Sequence, residues 1–305
     1  YEMQRSLVGS EMCIRDRLKH KYKDRYFADP FLIKEDNKFL YVLVEEYPFW
    51  TEKGIIVLLK IDKNQYELVD RKKVIEEDWH LSFPYCKLNC EWVIPEASAS
   101  GKTFAYKISL DTFEIENRVL IAEEGLIDNV FYEDKNGKTW AYAGKTIIPS
   151  TELYEFALGN DGLFNDINNV PIQSDNRHSR GAGDFFEYNG KLYRAVQDCK
   201  DRYGRQTKIM EIEKIGEDGY VAKEVLTINS FENPPYIDTM HTFNVYPDVV
   251  IVDGSKDFFR FPMKIFYKKI DEKIYNGSHA VPIRIFFPTE KSFRESEEKK
   301  HNIQD

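Results

Sequence analysis

Long apolar runs are missing from this 305-residue chain, and no stretch approaches the roughly 20 residues a membrane-spanning helix needs. No basic region followed by an apolar segment precedes the first strand-like stretch either, so the cytoplasm is the expected location. Basic clusters are equally scarce. Lys and Arg total 43 against 52 acids, and runs such as "DRKKV" (70–74) are short and followed by acids. A formal charge of −9 argues against nucleic acid as a partner, because phosphate backbones demand Lys and Arg gathered on one face. Cysteine is rare: Cys13, Cys86, Cys90 and Cys199 show no paired CxxC spacing and are read as reduced and structural. "GAGD" (181–184) does not lie between a strand and a helix, so no phosphate loop is expected. No metal cluster or cofactor motif is visible, and none is expected, although axial carboxylates can hold a calcium ion.

Aromatics are abundant. Phe and Tyr supply 21 and 19 residues, turns are frequent, and no long helical period appears, which points to short strands with aromatic faces. Five segments share one plan of apolar strand, polar turn and second strand: "FLIKEDNKFLYVLVEE", "PYCKLNCEWVIPEAS", "VFYEDKNGKTWAYAG", "DFFEYNGKLYRAVQD" and "FNVYPDVVIVDG". Two of the turns hold Asn-Gly, the strongest short hairpin signal. Aligning the second strands puts Glu45, Glu96, Gly144, Gln197 and Asp253 in one column, at spacings of 51, 48, 53 and 56 residues. Further strand material follows each of the first four hairpins, and four strands in about 50 residues make one propeller blade.

The expected fold is therefore an all-β, five-bladed propeller over residues 18–288, with a charged tail at 289–305. A β-sandwich with long loops is the alternative, and it gives no reason for a polar column at this period. Residues 1–17, "YEMQRSLVGSEMCIRDR", resemble a translated sequencing adapter and are set aside, so the natural gene is expected to begin elsewhere.

Innermost propeller strands line a central channel whose mouth is wet, so polar residues at their ends can face the axis. Asp29 begins the first inner strand, and Pro30 is expected to hold it extended. The matching ends are "HLSFP" (80–84), "LIDNV" (126–130), "RGAGDFF" (180–186) and "MHTFN" (240–244). They bring Asp29, His80, Ser82, Asp128, Arg180 and His241 toward one mouth. Glu96, just behind the inner strand in an apolar neighbourhood, is expected to have a raised pKa suited to a general acid, or else to accept backbone donors between blades. The fourth unit adds His178, Arg194, Gln197 and Asp198, a set suited to carboxylate, phosphate or sugar hydroxyls, or to an inter-blade bonding network.

The motifs "FADPFL", "HLSFPY", "IPEAS", "LIDNVFYEDKNGKTWAYAG", "AGDFFEYNGKLYRAVQDCKDRYG" and "HTFN" with "VDG" occur in order, one set per unit. They resemble the N-terminal propeller domain of the glucosamine inositolphosphorylceramide transferase family over nearly all of Tyr26 to Gly254. The Asp of the first inner strand is more distantly similar to the catalytic Asp of furanosidase propellers such as glycoside hydrolase family 43. Plant members join the propeller to a nucleotide-sugar transferase domain, and the residues after Asp253 are not expected to form one. For propellers that stand alone, the resemblance implies surface-polysaccharide or glycolipid assembly.

Three functions follow. The first is an enzyme for glycosyl transfer or hydrolysis, with Asp29 as nucleophile or base, Glu96 or Asp128 as acid, and Arg180, Arg194 and His241 among the substrate contacts. Asp128 stands where the hydrolase propellers place a Glu, which weakens hydrolysis. The second is a module that binds a glycan or nucleotide sugar for a partner transferase. The third is a scaffold that uses the propeller rim. In the enzyme reading Asp29 is the most consequential residue, and its Asn variant is expected to keep the fold while losing ligand binding or turnover.

Overall fold

The computed structural model describes residues 18–145, 152–201, 203–229 and 239–254, and the backbone of 283–286. The segments 1–17 and 289–305 lie outside the described residues.

Alternating apolar positions build antiparallel strands, and chain order fills each sheet from the inside outward. The first sheet runs β1 (Arg25–Glu35), β2 (Phe39–Pro48), β3 (Ile55–Asp62), β4 (Leu68–Ile75). The second is β5 (Ser82–Cys86), β6 (Trp92–Glu96), β7 (Thr103–Ile108), β8 (Ile115–Ala122). The third is β9 (Ile127–Glu133), β10 (Thr139–Gly144), β11 (Glu152–Leu158), β12 (Phe164–Asp166), with β13 (Gln173–Ser174) also pairing with β11. The fourth is β14 (Gly181–Tyr188), β15 (Lys191–Asp198), β16 (Gln206–Lys214), β17 (Val221–Asn229). A last sheet holds β18 (Phe243–Val245), β19 (Val250–Asp253) and β20 (Ile283–Phe286).

This is an all-β propeller arrangement. The sequence predicts five blades of four strands; among the described residues four sheets reach that size and the last carries three. Innermost strands meet in succession, β1 with β5, β5 with β9 and β9 with β14; β14 meets β18, and β19 returns to β1. Leu32 N–H donates to Tyr246 Oη at 2.8 Å, and Asn244 Nδ2 donates to the Pro30 carbonyl at 2.9 Å, so the last sheet is bonded to the first. Val249 and Ile251 share one apolar cluster with Val42, Val44, Val57 and Leu59 at the same junction. Removing such side chains from water supplies the main cohesion between sheets.

The polar column holds a constant register. Glu45 lies opposite Ala28, Glu96 opposite Ser82 and Gly144 opposite Ile127. Gln197 N–H donates to the Arg180 carbonyl, and Asp253 N–H to the Thr242 carbonyl. Immediately after this pairing the inner strands bulge, between Ala28 and Phe31, between Ser82 and Tyr85, and between Gly181 and Phe185, while the β9–β10 register shifts between the Ile127 and Val130 pairings. Asp29 (φ 51°), Phe83 (41°), Asp128 (47°) and Gly183 (150°) occupy these bulges at positive φ. The extended geometry expected for Asp29 is therefore corrected. The bulge turns its backbone left-handed, and Pro30, having no N–H, leaves no ladder donor orphaned there. Phe83, before Pro84, repeats the device.

Candidate functional site

Asp29 is buried, and its carboxylate joins three sheets. Oδ1 accepts from Thr242 Oγ1 at 2.9 Å, Oδ2 accepts from Phe83 N–H at 3.1 Å, and its own N–H donates to Asp253 Oδ2 at 3.0 Å. Asp253 is completely buried and also accepts from the N–H groups of Thr242 (2.9 Å) and His241 (3.3 Å). His241 Nδ1 lies 2.7 Å from Asp253 and 3.9 Å from Asp29. Burial works against charge on this imidazole, but Asp253 and Asp29 overcome it and raise its pKa to about 9. Burial raises Asp29 while His241 pulls it down; burial also works to raise Asp253, but His241 and the backbone donors to Asp253 outweigh it and lower its pKa.

Glu96 and Asp128 form the second half of the cluster. Asp128 N–H donates to Glu96 Oε2 at 3.2 Å, Ser98 Oγ donates to Glu96 Oε1 at 2.9 Å, and Arg180 Nε stands 2.5 Å from Asp128 Oδ2. That contact is an ion pair whose Nε–H is not aligned as a linear hydrogen bond. Burial and the Asp128 charge lift Glu96 to about 8, with Arg180 opposing, so its carboxyl carries a proton at neutral pH. The Arg180 guanidinium lies 4.7 Å from the Tyr203 ring centroid, and that ring meets His241 edge-on at 5.6 Å. Tyr203 is half exposed as a residue, and burial with the charges of Asp128, Asp29 and Glu96, opposed by Arg180, raises the pKa of its hydroxyl.

The structure brings Asp29, Glu96, Asp128, Arg180 and His241 near one another. His80 joins through Glu45, with Nε2 at 3.6 Å from Oε1, and Ser82 sits opposite Glu96 in the β5–β6 ladder. Of the other four, Gln197 borders the cluster through the Arg180 carbonyl, and Arg194, His178 and Asp198 make their contacts elsewhere. Arg194 is wholly buried, donates to the Ser179 carbonyl (3.1 Å) and Tyr220 Oη (3.3 Å) and leaves Nε without a partner among the described residues, so it stands inside its own sheet and away from the expected substrate position. His178 bonds to Asp175 and to Glu224 of β17, the outermost strand of its sheet. Gln197 Nε2 donates to the Gly181 carbonyl, and Asp198 accepts from Lys200 N–H and faces Lys208 at 3.8 Å. These bonds of the fourth unit stay within or beside its own sheet, so they match neither a ligand set nor the expected network between blades.

Sequence reasoning did not assign site roles to Glu45, Thr242 or Asp253. The polar column contained the signal for two of them, since a carboxylate recurring at the end of an otherwise apolar second strand has no packing rationale. Asp29, His241 and Asp253 offer ligand atoms within 4.8 Å of one another and are the described residues able to hold a metal. Three backbone donors already fill the Asp253 oxygens, so the fit is poor.

An all-β propeller whose inner-strand bulges collect carboxyls, one arginine and one histidine defines the class. Within it, the chain belongs to the family described as glucosamine inositolphosphorylceramide transferase 1, N-terminal, whose profile matches residues 12–235. It is 29% identical over 216 residues to glucosamine inositolphosphorylceramide transferase 1 of Oryza sativa subsp. indica, and 27% identical over 211 residues to that of Arabidopsis thaliana. These matches cover 67% and 66% of the chain but only 28% and 27% of the plant proteins. Among solved structures it is similar to the catalytic domain of a glycoside hydrolase family 62 α-L-arabinofuranosidase from Coprinopsis cinerea, with TM-score 0.57, 11% identity and coverage of 89% and 93%. A family 43 β-xylosidase/α-arabinofuranosidase from a compost metagenome, solved with xylotriose, gives TM-score 0.54 at 12% identity, covering 90% and 94%. At such identities the likeness is one of fold. No helix among the described residues is long and apolar enough to cross a membrane.

Proposed function

We propose that the chain is a five-bladed carbohydrate-active propeller whose axial cluster takes a sugar and serves glycosyl transfer in glycolipid or surface-polysaccharide assembly, in the cytoplasm. The observation that carries this reading is the Glu96–Asp128 pair. They sit on neighbouring sheets, with the Asp128 backbone N–H donating to the Glu96 carboxyl, yet Glu96 is raised to about 8 while the Asp128 carboxylate is ion-paired to Arg180. Environments that split two carboxyls in this way separate an acid from a base. Glu96 is the acid that protonates a leaving oxygen, Asp128 is the carboxylate that stabilises or activates, and Arg180 and His241 hold anionic or hydroxyl groups. The xylosidase and arabinofuranosidase names of the similar propellers, and the transferase names of the plant relatives, agree with a sugar ligand.

A second reading, a sugar-binding module serving a partner transferase, is favoured by Asp29. Both of its oxygens are occupied by protein donors, unlike those of a free nucleophile. Calorimetric titration with xylose, arabinose, glucosamine and UDP-N-acetylglucosamine, combined with product analysis in each mixture, tests both. Binding with turnover that Glu96→Gln abolishes supports the enzyme, and binding without turnover supports the module. Absence of binding to all four sugars rejects both.

A further inference from the structure

Glu45 lies three residues before the end of β2, opposite Ala28 and so beside Asp29. Its buried carboxyl faces Tyr26 Oη at 3.5 Å and His80 Nε2 at 3.6 Å. His80 is held from behind. Gly54 N–H donates to His80 Nδ1 at 2.8 Å, so Nδ1 is a bare acceptor and the proton of the neutral ring sits on Nε2, toward Glu45. Leu81 N–H donates in return to the Gly54 carbonyl at 3.0 Å, which locks the two connections together. A Cβ on residue 54 would stand 2.4 Å from the Leu81 carbonyl oxygen, 2.7 Å from the His80 ring and 2.8 Å from Glu45 Oε1. Only glycine fits this triple approach.

We propose that Glu45 is a third ligand-facing carboxyl of the axial site, contacting a sugar hydroxyl, and that Gly54 and His80 position it. The proposal rests on the sugar reading above. Titratable groups surround Glu45 from every side: Tyr26 and Asp29 from β1, Tyr47 from its own strand, His80 from the β4–β5 connection, Glu96 from β6, and His241. Burial, Asp29 and Glu96 push Glu45 well above the ordinary carboxylate range against His241 and the Tyr26 hydroxyl, toward the protonated form, while burial lowers His80 toward the neutral ring. A protonated carboxyl donates through one oxygen and accepts through the other, and a sugar hydroxyl likewise does both. The arginine-paired Asp128 offers acceptors alone, so the two carboxyls present different chemistry to one ring.

Two measurements separate this proposal from the reading it rests on. Carboxyl-carbon NMR of glutamate-labelled protein, assigned with Glu45→Gln, needs no ligand. Glu45 is expected to titrate above the ordinary carboxylate range, and His80→Phe is expected to move it higher by removing the Nε2–H donor. His80→Gln, which restores one donor and one acceptor, should return it toward the wild-type midpoint. An ordinary midpoint, or one indifferent to His80→Phe, overturns the positioning pair. Calorimetry with whichever of the four sugars binds the wild type is the second arm. Glu45→Leu should weaken binding at least tenfold and Glu45→Gln less than threefold, because Gln keeps a donor and an acceptor; unchanged affinity in a folded Glu45→Leu protein overturns the ligand role. If no sugar binds the wild type, the sugar reading falls and takes the ligand role with it, whereas a failed titration with intact binding overturns the pair alone.

Discussion

Asp253 accepts the N–H of Asp29 at 3.0 Å across 224 positions of sequence, and its side chain is completely buried. One carboxylate thereby fastens β19 to the bulge of β1 and, through His241 and Thr242, orders the residues leading into β18. The candidate site and the ring closure are consequently the same piece of structure.

Asp253→Asn should be among the most disruptive single substitutions. It breaks the ion pair with His241 and exchanges one acceptor oxygen for a donor facing backbone N–H groups. Breaking a buried pair costs about 3–5 kcal/mol. Urea unfolding will measure this, and a loss below about 0.5 kcal/mol would show that the closure does not depend on Asp253.

Asp29→Asn is expected to destabilise as well, contrary to the expectation from sequence that its fold would survive unchanged. Thr242 Oγ1 and Phe83 N–H both donate to the carboxylate, and hydrogen bonds to charged groups are worth about 1.5–3 kcal/mol each. The amide keeps one acceptor and loses the charge. Thermal melting decides between the two expectations, since an unchanged midpoint restores the earlier one.

Much of the architecture was legible because β-structure writes itself locally. Apolar alternation and Asn-Gly turns revealed the hairpins, and at Asn189–Gly190 both residues do take positive φ, as a type I′ turn requires. The polar column kept its register in the structure. The bulges were not legible, since Pro30 argued for an extended Asp29 while long-range bonds fixed a left-handed backbone there. Arg194 misled for a related reason: its partners, Ser179 and Tyr220, lie 15 and 26 positions away and become neighbours only when the strands of its sheet pair.

Stability should fall from mildly acidic to alkaline pH. The folded pKa of Glu96, about 8, exceeds its unfolded value of roughly 4.3, so the folded state binds more protons between these limits and loses stability as pH rises through them. His241 acts with the same sign. Its contribution is full below the unfolded pKa of roughly 6.5 and disappears as pH rises through about 9. Melting temperatures at pH 6 and pH 9 test the sum, and Glu96→Gln should flatten the lower part of the decline. A midpoint that rises over this interval contradicts the assignment.

Gly54→Ala should destabilise by about 1–3 kcal/mol, the ordinary cost of forcing an extra methyl into a packed site. The nearest obstacle is the Leu81 carbonyl oxygen, a backbone atom that cannot swing aside. Chemical denaturation supplies the number, and a neutral result would mean that the two connections part freely.

Arg180→Met should cost more at high pH than at low pH. In the wild type Arg180 offsets the buried charge on Asp128 and lowers Glu96. Methionine keeps much of the apolar stem and removes the cation, leaving two carboxyls on neighbouring sheets with no counter-charge beside them. At pH 8 the folded variant must either bury those charges or bind protons that the unfolded chain does not, and both weaken it by about 3 kcal/mol, the lower end for a broken buried pair. At pH 5 protons are available to both states, the uncompensated charge is largely neutralised, and the penalty shrinks. The difference in unfolding free energy between wild type and variant should therefore grow steadily from pH 5 to pH 8. A penalty independent of pH would show that Arg180 matters there for its packing against Tyr203 instead of for the charge it sets against Asp128 and Glu96.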